Sequence, residues 1–135
     1  MTLVQRLAQL FGIAFIVLAV VGFFASGGTM LADPAYAPHV FGLFPVNLLH
    51  NLVHLAFGIW GVFACRSWAA ARAYCLISGV IYGVLAVLGL IVPATFGIMP
   101  IGGNDIWLHA VIAAVLVVGG LTARSDLPAP TDMNV

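Results

Sequence analysis

The chain has no lysine and no glutamate. Its 135 residues carry four arginines and four aspartates, so charged residues make up 6% of the sequence. A soluble domain carries about 25%, and so few charges cannot coat a globule of this length. The formal net charge is +0, which removes any electrostatic case for binding nucleic acid. Cysteine is scarce as well. Cys65 and Cys75 do not make a disulfide scaffold. They read as reduced, inert thiols, with a soft-metal pair as the lesser alternative. There is no phosphate loop, nucleophile elbow, His-Glu-x-x-His or Cys-x-x-Cys, so the reading leans away from an enzyme.

What the chain has is apolar surface: 64% apolar residues and a mean hydropathy of +1.20. Lipid is the expected solvent. A bilayer core of about 30 Å needs roughly 20 apolar residues in a helix. Four segments qualify, at about Leu7 to Ala25, Val46 to Ala64, Ala70 to Val92 and Asp105 to Ala123. They imply an all-α integral membrane four-helix bundle forming one domain. The connection 26–45 is long for so small a bundle, and it reads as an interfacial segment or a lid over the bundle mouth. The tail 125–135, with Pro128 and Pro130, reads as disordered.

The arginines orient the bundle. Arg6 precedes the first span, Arg66 and Arg72 flank the turn between the second and third, and Arg124 follows the fourth. All lie on one side, so both termini are expected in the cytoplasm of a bacterial inner membrane. Trp68 and Tyr74 are expected at the inner interface, Tyr36 and Trp107 at the outer.

The chain also repeats. Phe41-Gly42-Leu43-Phe44-Pro45-Val46 recurs as Phe96-Gly97-Ile98-Met99-Pro100-Ile101, and His54 then falls on His109 without a gap. Val17-Leu18-Ala19-Val20-Val21-Gly22 resembles Val84-Leu85-Ala86-Val87-Leu88-Gly89. Two tandem helical hairpins in parallel repeat are therefore expected, related by an axis along the membrane normal. Because its counterpart, span three, is internal, span one reads as retained rather than as a cleaved signal. Spans two and four are expected to start near the outer surface, just after Pro45 and Pro100, since proline suits a helix start, where it sacrifices no helical bond.

Polar residues cluster at matched depth. Span two carries Asn47, His50, Asn51 and His54; span four carries Asn104, Asp105 and His109. His50/His54 and Asp105/His109 are each i, i+4 pairs, which share a helical face. The faces continue through Gly58, Gly61 and Cys65 on span two and through Ile112, Leu116 and Gly119 on span four. Span three adds Gly79-x-x-x-Gly83, a close-packing pattern.

Three imidazoles and a carboxylate suit zinc, copper, nickel or ferrous iron. Asn47, Asn51 and Asn104 are candidates to orient them. His54 and His109 alternatively face each other across a haem b iron as axial ligands. A proton relay is a third reading. The bland reading is that these residues only hold helices together or cap them, with Asp105 favouring its helix dipole. His39 reads as solvated, Asp33 as a turn former and Trp60 as packing.

The segments from Leu43 to His54 and from Asn104 to His109, with His50-Asn51-Leu52-Val53-His54 and Trp107-Leu108-His109 the most specific, resemble a known bacterial family. It comprises small four-span membrane proteins grouped as domain of unknown function 4383. The resemblance covers about Leu7 to Ala123. It implies a four-helix inner-membrane protein and no activity. The leading expectation is a protein that binds a metal ion or haem through His50, His54, Asp105 and His109 near the outer leaflet, for electron transfer, metal sensing or delivery. A non-catalytic accessory subunit of a larger membrane complex, or a homo-oligomer, is the alternative. A transporter half is disfavoured, because no polar path continues through Gly58 and Gly61 to the other side.

Overall fold

The computed structural model describes residues 1–125. The expected disordered tail, apart from Ser125, lies outside them. The described chain is helical throughout its core. Four helices, α1 (Leu3–Ser26), α2 (Leu48–Ala64), α3 (Trp68–Ile91) and α4 (Asp105–Leu121), occupy the four apolar segments. Two, α1 and α3, each of 24 residues, are long and apolar enough to cross a membrane. The other two have 17 residues each.

Capping decides where the helices begin. Thr2 and Gln5 form a reciprocal capping box, which carries α1 back to Leu3. The Ser67 hydroxyl accepts from the Ala70 N–H at 3.2 Å and starts α3 at Trp68. The Asn47 side chain accepts from the His50 N–H at 2.9 Å and starts α2. As expected, α2 and α4 begin shortly after Pro45 and Pro100, at Leu48 and Asp105. Both prolines stand upstream of the caps, because the residue after each is tied back into the connection. Val46 N–H donates to Pro38 O at 2.8 Å, and Ile101 N–H to Pro93 O at 2.9 Å.

The chain forms two hairpins, α1 packed on α2 and α3 packed on α4, which meet mainly along α1 and α3. Each hairpin seam is backbone against backbone. A Cβ on Gly12 would stand 2.6 Å from Val62 N, and one on Gly58 would stand 2.9 Å from Gly12 O. On the other seam a Cβ on Gly79 would stand 2.9 Å from Val117 N. Gly83 has room, so only the first glycine of the Gly79-x-x-x-Gly83 pattern is demanded by packing. Phe15, Tyr74, Tyr82, Ile112 and Leu116 form the core between the hairpins. Tyr74 is 0% exposed, which corrects its expected interfacial place.

One end of the bundle carries only the short turn from Cys65 to Ser67; we call it the turn end. The other, the loop end, carries both long connections. There, a ladder of β1 (His39–Val40) and β2 (Phe44–Pro45) encloses a turn in which Leu43 N–H donates to Val40 O at 3.0 Å. In the second connection Ile98 N–H donates to Thr95 O at 3.2 Å. The central residues of both turns are left-handed: Phe41 (φ 54°) and Gly42 (φ 69°), then Phe96 (φ 57°) and Gly97 (φ 87°). That is the type I′ form. Phenylalanine is a costly occupant of this region, yet it stands there in both turns. Asp33 forms a turn as expected, its Oδ1 accepting from the Ala35 N–H at 2.9 Å.

Candidate metal centre

The loop ends of α2 and α4 bring the expected ligands together. His50 and His54 lie one turn apart on α2, and Asp105 and His109 one turn apart on α4. One ring nitrogen from each of His50, His54 and His109 lies within 4.8 Å of the others. Asp105 Oδ2 stands 3.7 Å from His50 Nδ1, beyond hydrogen-bond reach. The backbone carbonyls of Pro45 and Pro100, one from each copy of the repeated segment, approach His50 from the connections.

All four side chains are buried, the most exposed being His54 at 7%. Nδ1 of His50, His54 and His109 and Oδ2 of Asp105 have no hydrogen-bond partner. Buried polar atoms are ordinarily paired. Unpartnered buried atoms on all three clustered histidines and on Asp105 beside them are the arrangement that an ion or a water would complete.

The walls are aromatic. Phe15 of α1 stacks on His54 with ring centroids 5.5 Å apart, and Tyr82 of α3 meets His109 edge-on at 5.3 Å. Phe15 and Tyr82 stack on each other at 5.1 Å. Sequence reading missed both residues, since it followed the polar faces of α2 and α4 alone. Val40, Phe44 and Val46 of the long connection line a cavity of about 20 Å³ together with His50, His54 and Asp105. The connection therefore covers the site.

The cavity holds about one water-sized body beside His50, His54 and Asp105. The rings packed around His54 and His109 leave no slot for a tetrapyrrole. A tetrahedral zinc site places its nitrogens about 3.3 Å apart. Three imidazoles beside a carboxylate make a donor set for zinc, copper or ferrous iron.

The three asparagines do not hydrogen-bond any imidazole. Asn47, besides capping α2, donates from Nδ2 to Ile98 O at 2.8 Å. Asn51 donates to Ser26 Oγ at 2.8 Å, and Ser26 Oγ donates to Gly22 O at 2.8 Å. Asn104 donates to Leu43 O at 3.1 Å and accepts from Trp107 Nε1 at 3.1 Å. Asn47 and Asn104 pair carbonyls of the connections, and Asn51 ties α2 to the end of α1. His39 stays outside the cluster, opposite Pro45 in the ladder. Cys65 and Cys75 are free thiols.

No curated protein and no solved structure matches the chain. Residues 5–122 match the family described as Domain of unknown function (DUF4383), and the chain belongs to that family.

Proposed function

We propose that this is a small bacterial multi-pass inner-membrane protein that binds a transition-metal ion through His50, His54 and His109, with Asp105 beside His50. The observation that carries the reading is the convergence of three buried ring nitrogens within 4.8 Å, each of these residues having an unpartnered Nδ1. A packing role alone would not ordinarily leave a buried ring nitrogen unpartnered on each of the three.

Membrane insertion of all four helices is supported by the apolar residues left on their outer faces. Phe24, Phe63, Val80, Leu90, Val111 and Val118, drawn from all four helices, are all more than half exposed. A soluble bundle rarely leaves so extensive an apolar surface bare. All four arginines lie at the turn end or in the adjoining first and last helical turns, so the turn end and both termini face the cytoplasm. The metal centre then lies near the outer leaflet. Two hairpins in parallel repeat are supported by the matching type I′ turns and the equal helix lengths. The use of such a centre is sensing or delivery of a labile metal.

The test is metal content. Protein purified in mild detergent without chelator is analysed by elemental mass spectrometry, then titrated with cobalt(II) and read by its visible absorption. We expect one ion per chain in the wild type and none in His54→Ala or His109→Ala. A wild type that takes up no zinc, copper, iron, nickel or cobalt sinks the reading.

A further inference from the structure

Besides the α1/α3 seam, the two hairpins touch between α2 and α3 and between α1 and α4. Near the turn end only the first of these crevices is filled. The offsets that set Val17 on Val84 and His54 on His109 also set Leu7 on Tyr74 and Val115 on Trp60. Between α2 and α3 the Trp60 and Tyr74 rings meet edge to face, with centroids 5.0 Å apart. Between α1 and α4 the matching side chains are leucine and valine, and a groove of about 430 Å³ stands where the rings would be.

The groove is apolar along its length. Leu7 and Gly119 form its floor, and Leu3, Val115 and Val118 its rims. Gly119 keeps it deep, since a Cβ there would collide with Leu7 Cδ1. From Ala114 to Thr122 it runs about 12 Å along α4. One leaflet contributes roughly 15 Å to the hydrocarbon core.

At Leu3 and Thr122 the groove opens into a second recess of about 280 Å³, lined also by Thr2 and Arg124. The turn end is cationic. It carries all four arginines, while Asp33 and Asp105, the carboxylates among the described residues, stand at the loop end. Asp126 and Asp132 lie outside the described residues. A groove that is apolar for most of a leaflet's depth and basic at its mouth complements an amphiphile with a negative head. A second copy of the chain fits less well, because two parallel copies joined at this groove would set their Arg124 groups side by side.

We propose that the groove between α1 and α4 holds one acyl chain of an anionic phospholipid of the cytoplasmic leaflet, with the lipid phosphate at Arg124. The lipid site needs the membrane orientation proposed above and no metal.

The full chain, purified in detergent and stripped of lipid, is mixed with equal amounts of phosphatidylglycerol and phosphatidylethanolamine and weighed intact by native mass spectrometry. Wild type should hold one phosphatidylglycerol per chain. Val115→Trp supplies the counterpart of Trp60, fills the groove and should hold none. Arg124→Gln leaves the groove open and should bind phosphatidylglycerol about fivefold more weakly. Arg66 is exposed at the same end, its guanidinium 4.5 Å from the Phe63 ring, and does not line the groove. Arg66→Gln should therefore bind as wild type does. Val115→Trp that binds as much phosphatidylglycerol as wild type overturns the proposal. So do equal losses in Arg124→Gln and Arg66→Gln, which mean attraction by net charge alone. A wild-type dimer that Val115→Trp splits also overturns it and gives the groove to a second copy. Alkaline carbonate extraction of the source membranes tests the parent reading separately. A chain released by carbonate removes membrane insertion and the lipid site together; a retained chain that does not select phosphatidylglycerol removes the lipid site alone.

Discussion

Asn47 and Asn104 brace the two hairpins reciprocally. Each side-chain amide crosses to the opposite type I′ turn, Asn47 to Ile98 O at 2.8 Å and Asn104 to Leu43 O at 3.1 Å. Leu43 and Ile98 hold the same place in the repeated segment. The braces are unequal in burial: Asn47 is 0% exposed, while Asn104 is exposed. Asn47→Ala removes a helix cap and the bond to the Ile98 carbonyl, at a cost of about 1–2 kcal/mol. Asn104→Ala should cost less than about 1 kcal/mol. Thermal unfolding in one detergent compares them, and equal losses would contradict the asymmetry.

Metal binding should stabilise the fold. At a free ion concentration of about 100 times Kd, the gain is about 2.7 kcal/mol. The gain should vanish in His54→Ala and His109→Ala. Asp105→Asn keeps the shape beside His50 but loses the carboxylate, and should weaken affinity about 10- to 100-fold. A cobalt(II) titration of each variant measures this directly.

The glycines make opposite predictions within one bundle. Gly12→Ala drives a methyl group against the backbone of α2, which cannot yield as a flexible side chain can. We expect a loss of about 1–3 kcal/mol, or more if the helices cannot separate. At Gly83 the nearest neighbour to a Cβ is 3.7 Å away, an ordinary contact. Gly83→Ala should stabilise by up to about 1 kcal/mol through helix propensity. Paired thermal melts decide it.

Phe96 is 84% exposed and left-handed. Asparagine tolerates that conformation better. Phe96→Asn should therefore raise stability in detergent by about 1 kcal/mol. A lower melting temperature would mean that the ring contributes more than its backbone costs.

Much of this architecture is legible in the residue order. The four apolar runs place the helices, and the i, i+4 spacing of His50/His54 and Asp105/His109 places the cluster. These are properties of single helices, for which period and length suffice. The contributions of α1 and α3 are not legible in that way. Phe15 and Tyr82 reach the site only because α1 and α3 meet at a particular angle. Tyr74 shows the same limit: its depth along the chain is readable, but whether it faces lipid or core is set by packing. The every-fourth-residue spacing of Tyr74, Ser78 and Tyr82 was the available sign. The asparagines were read by proximity to histidine, whereas Asn47 and Asn104 reach carbonyls in connections whose shape follows from two left-handed turns, and Asn51 reaches the Ser26 hydroxyl on α1.

The unequal helix lengths have a consequence for the surrounding lipid. Helices of 24 residues reach about 36 Å, and those of 17 about 25 Å, against a hydrocarbon thickness of about 30 Å. With all four helices inserted as proposed, the long pair would tilt or protrude while the short pair would stop below the headgroups. The proposed ion-binding recess would then sit at a depth fixed by the protein in a medium whose thickness is not. Thin membranes would bring water and headgroups to its mouth, and thick ones would seal it with acyl chains. On the proposed reading, exchange of the ion with the outside would follow lipid composition.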